Sequence, residues 1–244
     1  MAAVEPDEPV EDDLSWQCYR HPGRDAGVKC RRCERPLCPE CMITAPVGFQ
    51  CPECVRQAPP VRSLRSLRAD PVVTIGLVAA NAAVFVATLG RPELLDRFGL
   101  YGPAVSDGEW WRLVTSGFVH VNLMHAGFNC LLLYQLGLLL EPALGRFRFA
   151  LLYAVSLLGG SVGVLMLDPN ALSVGASGAV FGLLAAAVVG LRQRGINPMQ
   201  TGLGGLLVLN LILTFAVPGI SVGAHLGGLV TGAAVGALLL RSSR

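Results

Sequence analysis

The sequence predicts an all-α polytopic membrane protein, a bundle of six transmembrane helices preceded by a small cysteine-rich module. Three observations carry that expectation. The 244 residues are 52% hydrophobic and only 15% charged, with a mean hydropathy of +0.54, a balance that soluble domains rarely show. From Asp70 onward the Asp, Glu, Lys and Arg residues fall at or beyond the ends of six apolar runs. Seven of the eight cysteines lie between Cys18 and Cys54. The chain therefore divides into an acidic tail (1–13), a cysteine-rich module (14–56), a linker (57–70) and a membrane body (71–244).

The tail carries six acidic residues and no basic one. It has little to bury and reads as disordered. It lacks the basic start and apolar core of a secretory signal.

The module repeats one spacing four times: Cys18-x2-His21, Cys30-x2-Cys33, Cys38-x2-Cys41 and Cys51-x2-Cys54. Eight such ligands suffice for two tetrahedral zinc sites. Disulfides are the competing reading, but a reducing compartment disfavours them. A core this small needs a metal to fold it. Seven basic residues (Arg20, Arg24, Lys29, Arg31, Arg32, Arg35 and Arg56) face four acidic ones. That mild surplus reads as a solvated surface, with a protein partner preferred and nucleic acid not expected. Pro59, Pro60, Ser63 and Ser66 suit a spacer.

The six apolar runs are 72–90, 122–140, 148–167, 175–191, 201–217 and 220–240. Each is near the ~20 residues that cross a ~30 Å hydrocarbon layer. Arg62, Arg65, Arg68, Arg146, Arg148, Arg192, Arg194, Arg241 and Arg244 all fall on one side if the runs alternate. The positive-inside rule then puts both termini in the cytoplasm. The composition, rich in Ala, Gly, Val and Arg, fits a high-GC bacterium and hence a bacterial plasma membrane. The long first outer loop (91–121) holds Trp110-Trp111-Arg112, which by spacing alone reads as an interfacial anchor.

A few polar residues recur at one depth. Ser177, His225, His125 and Asn129 all lie within seven residues of the outer ends of runs four, six and two. At 1.5 Å per residue that is roughly 3 to 10 Å deep. His125 and Asn129 share a helix face. Alone, a membrane serine usually bonds its own backbone, and a buried His or Asn usually glues helices. Together at one level they favour a site. Gly228, Gly232 and Gly236 in run six, and Gly178, Gly182, Ala186 and Gly190 in run four, form small-residue stripes. Such stripes let backbones approach, which would carry Ser177 toward His225. Gly175 and Gly178 flank Ala176-Ser177 and permit a tight turn into a helix with Oγ exposed. Backbone N–H groups there could bind an oxyanion. Cys130 reads as a small apolar filler.

Three segments carry a resemblance: GASG opening run four, AHLGGLVTG (224–232) and HVNLMHAGFN (120–129), with Trp111-Arg112 in the long loop. In this combination and order they resemble the rhomboid family over about residues 70–240. The resemblance implies an intramembrane serine endopeptidase acting on transmembrane segments of other proteins. It implies Ser177 as nucleophile and His225 as base. It implies His125, Asn129 and the Ser177 N–H as oxyanion donors, with Gly175 in the oxyanion and support group and His120 as structural support for the loop and helix start. It also suggests that run five borders substrate access. Where the family often has Tyr, four residues after the serine, this chain has Phe181. That keeps a stacking face and loses a hydroxyl. No carboxylate lies at the right depth, so the expected machinery is a dyad. The module in turn resembles a B-box-type cross-braced zinc finger. That likeness would give Cys18, His21, Cys38 and Cys41 one zinc and Cys30, Cys33, Cys51 and Cys54 the other. The competing overall reading is a catalytically inactive rhomboid-like protein with a binding or trafficking role.

Overall fold

The computed structural model of the protein describes residues 17–45, 48–57 and 70–241, which fall in two compact units divided after residue 67. The acidic tail and nearly all of the linker, with Arg62, Arg65, Arg68 and Arg244, lie outside the described residues.

The first unit is built from two short hairpins and two helical turns. Strand β1 (Val28–Lys29) pairs with β2 (Pro36–Leu37), and β3 (Ile43–Thr44) with β4 (Phe49–Gln50), both antiparallel. A 3-10 turn spans Pro39–Cys41, and helix α1 spans Pro52–Arg56. The buried core consists of Leu37 and six cysteines: Cys18, Cys30, Cys38, Cys41, Cys51 and Cys54. A unit whose interior is mostly sulfur has little hydrophobic stabilisation.

The second unit is helical throughout. Helix α2 is Val72–Thr88, α6 is Leu123–Leu144 and α7 is Arg146–Leu167. Helix α8 is Ser177–Gln193, α9 is Leu203–Ala216 and α10 is Val222–Arg241. These are the six apolar runs, displaced by no more than four residues at either end. Among the described residues, α6, α7 and α10 have the length and hydropathy to cross a membrane, while α2, α8 and α9 are shorter apolar helices. The long loop is not irregular. It contains α3 (Pro92–Phe98), α4 (Gly102–Ser106) and α5 (Arg112–Thr115).

Glycine decides how the helices meet. A Cβ added at Gly228 would overlap the Gly178 carbonyl, one at Gly232 would overlap Gly182, and one at Gly236 would lie 2.5 Å from the Ala186 Cβ. The offset between partners is constant, so α8 and α10 run parallel and start at the same end of the bundle. On its other flank α10 packs antiparallel on α7, with Gly223 on Gly163 and Gly227 on Gly159. This close packing is what the two stripes predicted. The Gly159-Gly160 and Gly163 contribution from α7 is an addition to it.

The opposite end is tied by a charge. Glu141, 1% exposed, lies within α6 because that helix runs four residues past its expected end. Its Oε1 accepts the Val73 N–H at 3.0 Å, and its Oε2 accepts the Thr74 N–H at 2.8 Å and hydroxyl at 2.7 Å. Helix α2 has no side-chain cap of its own. A carboxylate from a neighbouring helix satisfies its first-turn donors instead.

Arg112 departs from the anchor reading. It points inward, 8% exposed. Its guanidinium meets Glu109 Oε2 at 2.5 Å and the carbonyls of Asp96 at 2.5 Å and Gly99 at 2.7 Å. Those carbonyls end α3, so the arginine binds the loop helices together. Trp110 and Trp111 remain exposed, as an interfacial pair would be.

Gly228→Ala must force α8 and α10 apart and is expected to cost about 1–3 kcal/mol. Gly127→Ala meets nothing within 4 Å and serves as the control. Thermal unfolding midpoints in detergent should fall for the first and hold for the second.

Candidate functional site

The site forms where α6, α8 and α10 begin, at one end of the bundle. A short approach segment sets its geometry. Leu100 and Ser173 bridge through paired backbone bonds of 2.8 and 2.9 Å, and the Gly175 N–H donates to Ser116 O at 2.8 Å. The Ala176 N–H donates to His120 Nε2 at 3.4 Å. His120 Nδ1 lies 3.2 Å from the Phe118 carbonyl. Both contacts are satisfied if the buried imidazole is neutral, with Nδ1–H donating and Nε2 accepting. Burial pushes His120 down to about 4, which keeps it neutral. Ser173, Gly175 and Ala176, each held through its backbone N–H, thus deliver the chain to Ser177, the first residue of α8.

Gly175 has φ +116°, a conformation open to glycine. Even without that constraint, a Cβ here would sit 2.5 Å from His125 Nε2. The His125 ring therefore lies directly over the turn that precedes the serine. The Asn122 side chain caps α6 by accepting the His125 N–H at 2.8 Å, which fixes His125 in the first turn. Asn129, one turn further along, donates to the His125 carbonyl at 3.0 Å. Its Nδ2 is 3.7 Å from the same Gly175 position. The His120 and His125 rings meet edge to face with centroids 5.0 Å apart.

His225 sits in the first turn of α10 and is 7% exposed. Its ring stacks on Phe181 with centroids 4.0 Å apart and planes 19° from parallel. Phe181 lies one turn after Ser177 on the same face of α8. The imidazole thus faces the surface of α8 that carries the serine, as the Gly178–Gly228 contact requires. Among the described residues Ser177 Oγ makes no hydrogen bond to this ring. Phe181 and the glycine contact set the ring against the face of α8 that carries Ser177, and catalytic hydrogen bonds often tighten only with substrate bound.

The stacking role expected of Phe181 is realised. Thr214 is the residue that the sequence reading missed. It is 2% exposed on α9, and its Oγ1 lies 2.7 Å from His225 Nδ1. The signal was available. Thr214 stands two residues from the C-terminal end of its helix, close to the depth that singled out Ser177 and His225. Cys130 is partly buried beside Asn129, in keeping with a filler.

In the first unit the eight expected ligands form two groups. Cys18, His21, Cys38 and Cys41 make one, and Cys30, Cys33, Cys51 and Cys54 the other. Within each group the donor atoms lie within 4.8 Å of one another. Tetrahedral ligands on zinc stand about 3.8 Å apart. His21 Nδ1 lies 3.3 Å from Cys38 Sγ and 3.4 Å from Cys41 Sγ, and Cys33 Sγ lies 3.7 Å from Cys51 Sγ. The donor set fits a metal. Burial raises the Cys18 thiol, yet backbone N–H groups of Cys38, Arg20 and His21 overcome it and bring Cys18 down to about 6. Cys30 is likewise brought to about 6 against burial by Cys51, Arg32 and Cys33 backbone groups. Burial and neighbouring thiols push Cys41 up to about 11 and Cys54 up to about 12. Each group thus gathers negative charge that a dication would balance.

A bundle of apolar helices thus carries a serine, a stacked histidine and a His–Asn pair at one end. A family model described as "Rhomboid domain" matches residues 107–242, more than half of the chain. The chain belongs to the rhomboid family. It is 35% identical over 144 residues to Rhomboid protease GluP of Bacillus subtilis, covering 57% of this chain and 28% of that protein. It is 29% identical over 198 residues to Rhomboid protease AarA of Providencia stuartii, covering 67% and 70%. It is 32% identical over 155 residues to Rhomboid-like protease 1 of Toxoplasma gondii, covering 60% and 53%. The chain thus spans less than two thirds of the length of two of these three relatives.

Proposed function

We propose that this chain is an intramembrane serine endopeptidase that cleaves transmembrane segments of membrane-protein substrates through a Ser177–His225 dyad. The observation that carries the reading is the His225 ring, stacked on Phe181 and facing the Ser177 side of α8. Ser177 Oγ attacks the scissile carbonyl while His225 Nε2 takes its proton. His225 then returns that proton to the leaving amine, and water repeats the cycle on the acyl-enzyme. The tetrahedral oxyanion is held by the Ser177 N–H at the start of α8, with His125 and Asn129 beside it. His120 supports the turn through Ala176. The catalytically inactive, binding-only alternative leaves this grouping of side chains without a purpose.

The positions of the arginines support an orientation. Arg146 and Arg148 follow α6, Arg192 and Arg194 follow or end α8, and Arg241 ends α10. All five are at the end of the bundle away from Ser177. The positive-inside rule then gives cytoplasmic termini and an outward-facing site, in a bacterial plasma membrane. The two Cys/His groups hold one structural zinc each, in the cross-braced arrangement, and stabilise a module able to bind a cytoplasmic protein. Nothing in the catalytic steps requires the metal.

In proteoliposomes with a labelled single-span substrate, the wild-type chain is expected to release a cleaved ectodomain, and Ser177→Ala to release none. His125→Ala and Asn129→Ala should each slow turnover by about 10²–10³-fold without a change in unfolding midpoint. Equal product from wild type and Ser177→Ala would favour the binding-only alternative. For the module, elemental analysis of protein purified under reducing, metal-replete conditions should find about two zinc per chain. A value near zero would overturn the zinc assignment.

A further inference from the structure

Helix α9 buries two residues, Gly204 near its start and Thr214 near its end. Gly204 packs on Met199. Thr214 is different, because its buried hydroxyl touches two partners. Oγ1 lies 2.7 Å from the Asn210 carbonyl and 2.7 Å from His225 Nδ1. A bond from a membrane-helix threonine back to its own i−4 carbonyl is common and needs no functional explanation. The second contact does, because it reaches a side chain on another helix.

The hydroxyl has one hydrogen to give. A backbone carbonyl can only accept, and two oxygens 2.7 Å apart with no hydrogen between them would repel. The hydrogen therefore goes to Asn210, and the oxygen is left to accept. His225 must then present Nδ1–H to it. That choice leaves Nε2 unprotonated, with a lone pair directed away from α9. The Asn210 amide is itself engaged with the Leu206 carbonyl at 2.8 Å, so it does not compete. Phe181 holds the plane of the ring, and Thr214 holds its rotation within that plane.

We propose that Thr214 is a positioning residue that fixes the tautomer and orientation of His225, so that α9 sets the basicity of the face presented to Ser177. This rests on the reading of His225 as the base. The arrangement does for this imidazole what a carboxylate does in a three-residue hydrolase, but with a neutral acceptor. The bond survives the reaction. When Nε2 takes a proton from Ser177, Nδ1 keeps its own and still donates to Thr214.

The test has two arms on the full chain in the proteoliposome assay and by spectroscopy. Thr214→Val keeps the shape and removes the acceptor; it should lower kcat by about 10–100-fold with KM changed by less than about twofold. Thr214→Ser should restore kcat to within about threefold of wild type. In ¹⁵N-histidine NMR, the His225 signal, assigned by its loss in His225→Asn, should report the Nδ1-protonated tautomer in the wild-type chain. A wild-type kcat in Thr214→Val, or a wild-type imidazole protonated on Nε2, would overturn the proposal. The NMR arm needs no turnover and no variant fold of Thr214. A wild-type chain that cleaves nothing defeats the protease reading alone, and the tautomer still judges this one.

Discussion

Backbone-to-backbone contact between α8 and α10 is the constraint on which the site depends. Gly178 and Gly228 meet with no side chain between them, and the parallel register continues through Gly182–Gly232 and Ala186–Gly236. In lipid there is little hydrophobic drive to join helices, so close packing and polar contacts must do it. Because both helices begin at the same end, one contact sets the depth of Ser177 and His225 together. The third flank, α7, closes the arrangement through Gly159 and Gly163. No one of these helices can shift without disturbing the other two.

Polar side chains then refine what glycine has brought together. His225 Nδ1 meets Thr214 Oγ1, Asn129 donates to the His125 carbonyl, and the Asn122 side chain accepts the His125 backbone N–H. At the far end Glu141 supplies the first-turn acceptors that α2 lacks. Partners of this kind lower the cost of a polar group in the hydrocarbon layer. The same logic runs through the cysteine-rich unit, where sulfur replaces an apolar core and asks for a cation.

Much of this was legible because membrane sequences restrict what can sit where. Uncharged runs revealed six helices to within a few residues, and polar depth singled out Ser177, His225, His125 and Asn129. The four-residue glycine spacing foretold the α8–α10 contact, the paired Cys/His spacing foretold the eight donor residues, and the likeness to a cross-braced zinc finger implied the grouping in which they stand. What stayed hidden depends on partners distant in sequence. Arg112 reads as an interfacial residue by position, yet three acceptors from the loop draw it inward. Glu141 reads as the first charge after a span, because its use as a cap for α2 lies 67 residues away. Thr214 shares the depth of Ser177 and was legible by that signal, but nothing in the sequence pairs its hydroxyl with His225. The three helices of the long loop between α2 and α6 lack the length for a clear periodicity.

The central claim is that Ser177 is the nucleophile of a site whose base is His225 and whose anion pocket lies beside Gly175. A structure of the chain reacted with a fluorophosphonate would test it most directly. The account predicts a phosphonyl group on Ser177 Oγ, with its oxygen within hydrogen-bond distance of the Ser177 N–H and of His125 or Asn129. Attachment to another residue, or an oxygen turned away from those donors while the bundle stays folded, would contradict it.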